Sequence, residues 1–145
     1  MHGIASITTH ANAVTLPVRG TLPARCPYYR GVADCLFCAI AAGDVPATAV
    51  TSTDQVLAFR DINPQAPTHV LIIPREHYPD AAALAAADPG LLAEVIAQAH
   101  QVAVVEGISG GGYRIVLNTG AEAGQTVPHV HAHVLGGRPL GWPPG

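Results

Sequence analysis

The chain has 145 residues, about half of them apolar and few charged, which suits one packed domain and excludes wholesale disorder. A net charge of −3 supplies no general attraction for a polyanion, so nucleic-acid binding by phosphate neutralisation is not expected, and any phosphate ligand must be held locally. No stretch approaches the roughly 20 apolar residues that span a bilayer, and no secretory leader is evident, so a soluble cytoplasmic protein is expected.

Residues 1–33, rich in Thr, Ala, Pro and Gly without a sustained period, read as a flexible N-terminal extension, with the domain proper over 34–145. From Cys35 the pattern becomes regular. A short helix is expected to Ala42, stopped by Gly43. Strands are expected over Ala49–Thr53, Val56–Arg60 and His69–Ile73, the first two as a hairpin, with the Asn63-Pro64-Gln65-Ala66-Pro67 loop before the third. Asp88-Pro89 opens one long helix, because the carboxylate accepts free N–H groups and proline costs no hydrogen bond in the first turn. Apolar residues from Leu91 to Ala103 recur at three- and four-residue intervals, and Gly107 ends the run. Strands over Tyr113–Asn118 and Val130–Leu135 complete an antiparallel α+β domain of about five strands, one long helix and one short.

His129-Val130-His131-Ala132-His133 carries the chemistry. In a strand, alternate side chains share a face, so the three imidazoles face one way and Val130, Ala132 and Val134 face the core. Successive rings lie roughly 6 to 7 Å apart at about 3.3 Å rise per residue, close enough to share one ligand or one hydrogen-bonded chain. Three readings compete: a solvated face without a role, a three-histidine metal centre, and a nucleophilic imidazole positioned by its neighbours. Asn118-Thr119-Gly120 and Gly124-Gln125-Thr126 upstream, with Gly136-Gly137-Arg138 downstream, favour the last. Glycines admit a phosphate close to the backbone, and amide and hydroxyl groups donate to its oxygens.

Cys35-Leu36-Phe37-Cys38 has the two-residue gap that lets two thiolates reach one tetrahedral ion, but two further ligands are required. The alternatives are a redox pair or two inert cysteines. Cys26, His2, His10 and His100 are assigned no role.

The run Phe59-Arg60-Asp61-Ile62-Asn63-Pro64-Gln65-Ala66-Pro67-Thr68-His69-Val70-Leu71-Ile72-Ile73-Pro74, then Gly124-Gln125-Thr126, the histidine run through Gly136-Gly137-Arg138, and Trp142-Pro143-Pro144-Gly145 resemble the histidine triad (HIT) superfamily. Within it they are most similar to the nucleotide-binding branch of purine nucleoside phosphoramidases. The resemblance implies a HIT-like fold whose sheet continues across a homodimer, with the Trp142 tail reaching the partner's nucleotide site. It implies hydrolysis of a purine nucleotide conjugate through a nucleotidyl-histidine intermediate, with His131 as nucleophile and His69, His129 and His133 assisting. Asn118, Gly124, Gln125 and Thr126 would contact the phosphate, Asp61 the ribose, and Phe37, Ile40, Phe59 and Ile62 the purine. Taken alone, the four apolar residues also read as ordinary core and Asp61 as a turn residue. Thr126 stands where the family usually has serine, and His133 stands where the superfamily's transferases have glutamine. Relatives with the cysteine pair complete a structural zinc site with residues matching His77 and His129; no organic cofactor is implied. A nucleotide-binding regulatory module and a dinucleoside polyphosphate hydrolase are the competing functions.

Overall fold

A computed structural model describes residues 34–145; the expectations for residues 1–33, including Cys26, lie outside them. The element order is α1 (Leu36–Ala42), β1 (Ala49–Ser52), β2 (Val56–Arg60), β3 (Thr68–Pro74), α2 (Ala81–Ala87), α3 (Pro89–Val105), β4 (Tyr113–Leu117) and β5 (Ala132–Gly136). The strands form a five-stranded antiparallel sheet in the order β1-β2-β3-β5-β4.

The sheet buries both faces of its centre, which is why β2 and β3 read as continuous apolar runs and not as alternating strands. One face carries Val56, Ala58, Val70, Ile72, Ala132 and Val134 and packs against α2 and α3 through Leu84, Leu91, Val95, Ala99, Val102 and Ala103. The opposite face carries Leu57, Phe59, Leu71 and Ile73 beneath Phe37 of α1. Truncating a fully buried residue such as Ile72 to alanine would cost about 2–5 kcal/mol.

Helix α3 begins as the sequence indicates: Asp88 Oδ1 accepts the Leu91 N–H at 2.9 Å, and Pro89 occupies the first turn. Helix α2 was not expected. Its alanine-rich sequence offers little apolar contrast, and its start is set by Asp80, whose Oδ1 accepts the Ala83 N–H at 2.8 Å. The last strand begins two residues later than expected, at Ala132, because the backbone before it bonds to neighbouring loops: Val130 N–H donates to the Tyr78 carbonyl (2.7 Å) and His129 N–H to Val127 (2.8 Å). The expected division of faces still holds, with Val130, Ala132 and Val134 buried in the helix-side core.

Candidate active site and metal centre

The register of β3 and β5 sets Leu71 opposite His133 and His69 opposite Leu135, so His69 and His133 are diagonal neighbours on the α1 side of the sheet. Their rings meet with His69 Nε2 2.9 Å from His133 Nδ1. The direction of this bond follows from its far end. Gln65 N–H donates to His69 Nδ1 at 3.0 Å, which places the proton of neutral His69 on Nε2. His69 Nε2–H therefore donates to His133 Nδ1, and neutral His133 carries its own proton on Nε2. That Nε2 is buried and has no hydrogen-bond partner among the described residues. An unmet buried donor is unfavourable, and a ligand oxygen would satisfy it.

His131 lies between this pair and α1. Its Nδ1–H donates to the backbone carbonyl of its own neighbour but one, His129, at 2.8 Å, which leaves the Nε2 lone pair available. The ring is 5 % exposed and packs edge-on against Phe37 (centroids 5.0 Å, 80°) and His133 (5.0 Å, 61°). Burial drives the His133 pKa down to about 4, with nearby His131 and His69 acting in the same direction and Asp61 opposing. Burial likewise lowers that of His69, against the pull of Asp61, whose Oδ2 is 3.4 Å from His69 Nε2. Both rings are thus held neutral near pH 7.

Phe37 also belongs to an adjoining cleft of about 540 Å³, together with Leu36, Ile40, Phe59, Ile62 and Leu71. Asp61, Arg60 and Thr48 supply its polar rim. The four expected apolar residues are thus brought together, although Phe37 and Phe59 are buried while Ile62 projects fully into solvent. Asp61 is also a turn residue: its Oδ1 accepts the Asn63 N–H at 2.8 Å.

Asn118 follows the Leu117–Ala132 pair directly and lies half-buried at the end of β4. Gln125 sits in the expected loop, but its side chain is engaged in holding that loop. Its Nε2 donates to the carbonyls of Pro79 (2.7 Å) and Val127 (3.1 Å), while its Oε1 accepts the Gly120 N–H (2.9 Å). Gly124 takes a left-handed conformation (φ 81°) after the 3-10 turn Ala121–Ala123, and Thr126 is exposed beside it. Trp142 is 85 % exposed and does not line this cleft.

Sequence reasoning did not single out Gln65 or Arg138 as a linked pair. Arg138 Nη2 donates to the Gln65 carbonyl at 3.0 Å, bracing the residue whose N–H orients His69. The preceding Gly137 has φ +86°, and a Cβ there would lie 2.9 Å from Pro67 Cβ, so glycine permits the close approach. Backbone donors leave no side-chain signature, though the Gly-Gly-Arg run was a visible hint.

Behind α1 the two cysteines meet His77 and His129. Cys38 Sγ lies 3.3 Å from His77 Nδ1 and 3.5 Å from His129 Nδ1, and Cys35 Sγ lies 3.6 Å from His129 Nδ1. A tetrahedral zinc with Zn–S about 2.3 Å and Zn–N about 2.05 Å has S···N edges of about 3.5 Å. The donor set therefore has the dimensions of such a site. His129 Nε2–H donates to the Pro74 carbonyl at 2.9 Å, turning Nδ1 toward the thiols in the manner of an oriented metal ligand. Cys35, Cys38, His77 and His129 are one of two groups among the described residues that could hold an ion; the other is Asp61, His69 and His133. His131 belongs to neither, so a three-histidine centre of His129, His131 and His133 is not formed.

An antiparallel α+β sheet with paired histidines on its central strands and a cysteine–histidine cluster behind them defines the class of protein. A family model described as the HIT domain matches residues 42–140, and the chain belongs to the HIT domain family. It is 48% identical over 112 residues to an uncharacterized HIT-like protein of Synechocystis sp., covering 77% of this chain and 97% of that one. It is 45% identical over 106 residues to a protein of Escherichia coli (strain K12) named purine nucleoside phosphoramidase, covering 73% and 89%. Among solved structures it resembles a HIT family hydrolase from Legionella pneumophila (TM-score 0.75, 50% identity, 77% of this chain and all of that one). It also resembles a histidine triad protein from Clostridium difficile (TM-score 0.72, 37% identity, covering 74% and 94%).

Proposed function

We propose that the chain is a hydrolase of purine nucleoside phosphoramidates or related nucleotidyl conjugates, acting through a covalent intermediate on His131. The observation that carries this reading is the bond from His131 Nδ1–H to the His129 carbonyl, which leaves available the Nε2 lone pair of a buried ring packed on Phe37, a residue that also lines the cleft. The E. coli relative named purine nucleoside phosphoramidase supports the substrate class.

In the first step Nε2 attacks the α-phosphorus, the P–N bond to the leaving amine breaks, and the amine takes a proton from solvent water, a proton that the attacking water of the second step returns. The imidazole, now bonded to phosphorus at Nε2 and to hydrogen at Nδ1, carries positive charge, and the bond to the His129 carbonyl strengthens as that charge develops. In the second step water attacks phosphorus, the P–Nε2 bond breaks, and the nucleoside monophosphate leaves. His133 Nε2–H donates to a phosphate oxygen, Asn118 and Thr126 complete the phosphate contacts, and Gly124 with Gln125 shapes their loop. Asp61 receives the ribose hydroxyls, and Phe37, Ile40, Phe59 and Ile62 enclose the purine. No organic cofactor takes part. The decisive test is turnover of adenosine phosphoramidate by the wild type and by His131→Ala: loss of at least about 10³-fold in kcat is expected on removing a covalent nucleophile, and comparable rates would end the proposal.

Zinc at Cys35, Cys38, His77 and His129 is assigned a structural role, in a reducing, cytoplasmic setting that keeps the thiols available. The protein is proposed to work as a homodimer. Support comes from the apolar Ile96, Val104 and Val105 exposed on α3 and from β4, which lies at the sheet edge where a partner strand could extend the sheet. In that assembly the exposed Trp142 would reach the partner's cleft. Sedimentation equilibrium showing only monomer at micromolar concentration would refute the pairing.

A further inference from the structure

The cysteine–histidine cluster and the cleft share one helix. Cys35 and Cys38 bracket Leu36 and Phe37, and Leu36, Phe37 and Ile40 form the α1 side of the cleft. Helix α1 has only seven residues, its N-cap Cys35 makes no side-chain capping bond, and its first turn holds no acid. A helix this short is not stable on its own propensity and depends on its anchors. At its C-terminal end Arg75 Nη1 donates to the Ala41 carbonyl at 3.0 Å, with the same guanidinium fixed to Thr53 O (3.1 Å) and Ser52 Oγ (2.7 Å). At its N-terminal end the anchors are the two thiols and the Phe37 ring, which rests on Phe59 (5.8 Å), His129 (6.0 Å) and His131 (5.0 Å). His129 joins the two regions a second time: its ring faces the thiols, and its carbonyl holds His131 Nδ1.

From this we infer that the metal centre and the nucleoside cleft are thermodynamically coupled through α1: an ion held by Cys35, Cys38, His77 and His129 fixes the Leu36–Phe37–Ile40 wall, so that metal and purine nucleoside bind cooperatively. The inference rests on the nucleotide reading of the cleft and adds regulation to it. The centre is thereby a control point for substrate affinity as well as a structural tie. Coupling of this kind is reciprocal: whatever factor the ion adds to nucleoside affinity, the nucleoside adds to ion affinity.

The experiment measures zinc affinity of the full chain by competition with a chromogenic chelator, with and without saturating adenosine, and compares wild type with Ile40→Ala. Ile40 lines the cleft and is not a zinc ligand. Adenosine is expected to tighten zinc binding at least about fivefold in the wild type, within the usual range for coupled sites, and clearly less in Ile40→Ala. Unchanged zinc affinity, with calorimetry showing adenosine bound, overturns the inference. So does an equal gain in Ile40→Ala, because that pattern reports folding linkage and not the wall. If adenosine and adenosine monophosphate both fail to bind the zinc-loaded protein, the nucleotide reading itself falls, and the coupling with it.

Discussion

His131 Nδ1 sits 2.8 Å from the carbonyl oxygen of His129, so the residue that faces the thiols with its ring also sets the tautomer of the buried imidazole two positions on. The carbonyl requires a proton on Nδ1. Nitrogen-15 shifts of His131 should therefore show the Nδ1–H tautomer in the ligand-free protein near pH 7.5. An Nε2–H form would remove the lone pair assigned to attack and defeat the proposed chemistry.

The Gln65–His69–His133 chain gives a second test. Replacing His69 by phenylalanine keeps the ring volume but removes the donor to His133 Nδ1. The half-buried His133 then lacks its orienting bond, with an expected loss of about 1–3 kcal/mol in stability. Turnover of adenosine phosphoramidate should fall by about 10–100-fold, in kcat more than in KM, the scale on which losing a partner that orients a functional histidine is felt. Unaltered kcat together with an unaltered His133 nitrogen-15 signature would show that the chain has no positioning role.

Stability should depend on pH with a defined sign. Burial holds His133 at about 4 and lowers His69, whereas unfolding returns each toward the ordinary value of about 6.5. Between these values the unfolded chain binds more protons, so stability is full above about pH 6.5 and is lost as pH falls toward 4. Urea midpoints at pH 7.5 and 5.0 check this, and His133→Phe should reduce the difference without abolishing it, since burial also lowers His129 to about 4. A midpoint that rises on acidification would contradict the neutral state of these rings.

Metal removal separates a structural ion from a catalytic one. Zinc analysis is expected to give one ion per chain, and Cys38→Ala or chelation should lower Tm by about 5 °C or more. Since the proposed nucleophile is an imidazole, kcat in folded, metal-free protein should stay within about tenfold of the loaded form while KM rises. Complete loss of kcat in protein that keeps its near-UV circular dichroism would instead implicate a metal-activated water.

Much of this architecture was legible from residues alone because side-chain chemistry declares itself. Asp88-Pro89 announced α3, and the alternation of histidines with Val130, Ala132 and Val134 divided the faces correctly even though the strand starts only at Ala132. Helix α2 escaped because seven residues of alanine and leucine present no periodic stripe; Asp80 was its only punctuation. The clustering of Cys35 and Cys38 with His77 and His129 depended on resemblance, since one cysteine pair does not reveal its distant partners. The groups that set the tautomers were not legible, because they are main-chain atoms: the Gln65 N–H and the carbonyls of Pro74 and His129. Any residue but proline could offer that N–H, and any residue at all those carbonyls, so only three-dimensional placement identifies them. Gln125 illustrates the converse, an expected ligand contact whose amide is occupied in bracing its own loop.

The two central strands differ from α1 in how firmly they are embedded. Every residue of β3 is buried, and β5 lies between β3 and β4, so His69 and His133 move only if the middle of the protein opens. The Leu36–Phe37–Ile40 wall of the cleft, by contrast, rides on a peripheral seven-residue segment. Amide exchange should accordingly be slowest along β3 and β5 and much faster in α1. Such a division lets substitutions at Leu36 or Ile40 reshape the cleft while leaving the His69–His133 pair where it stands.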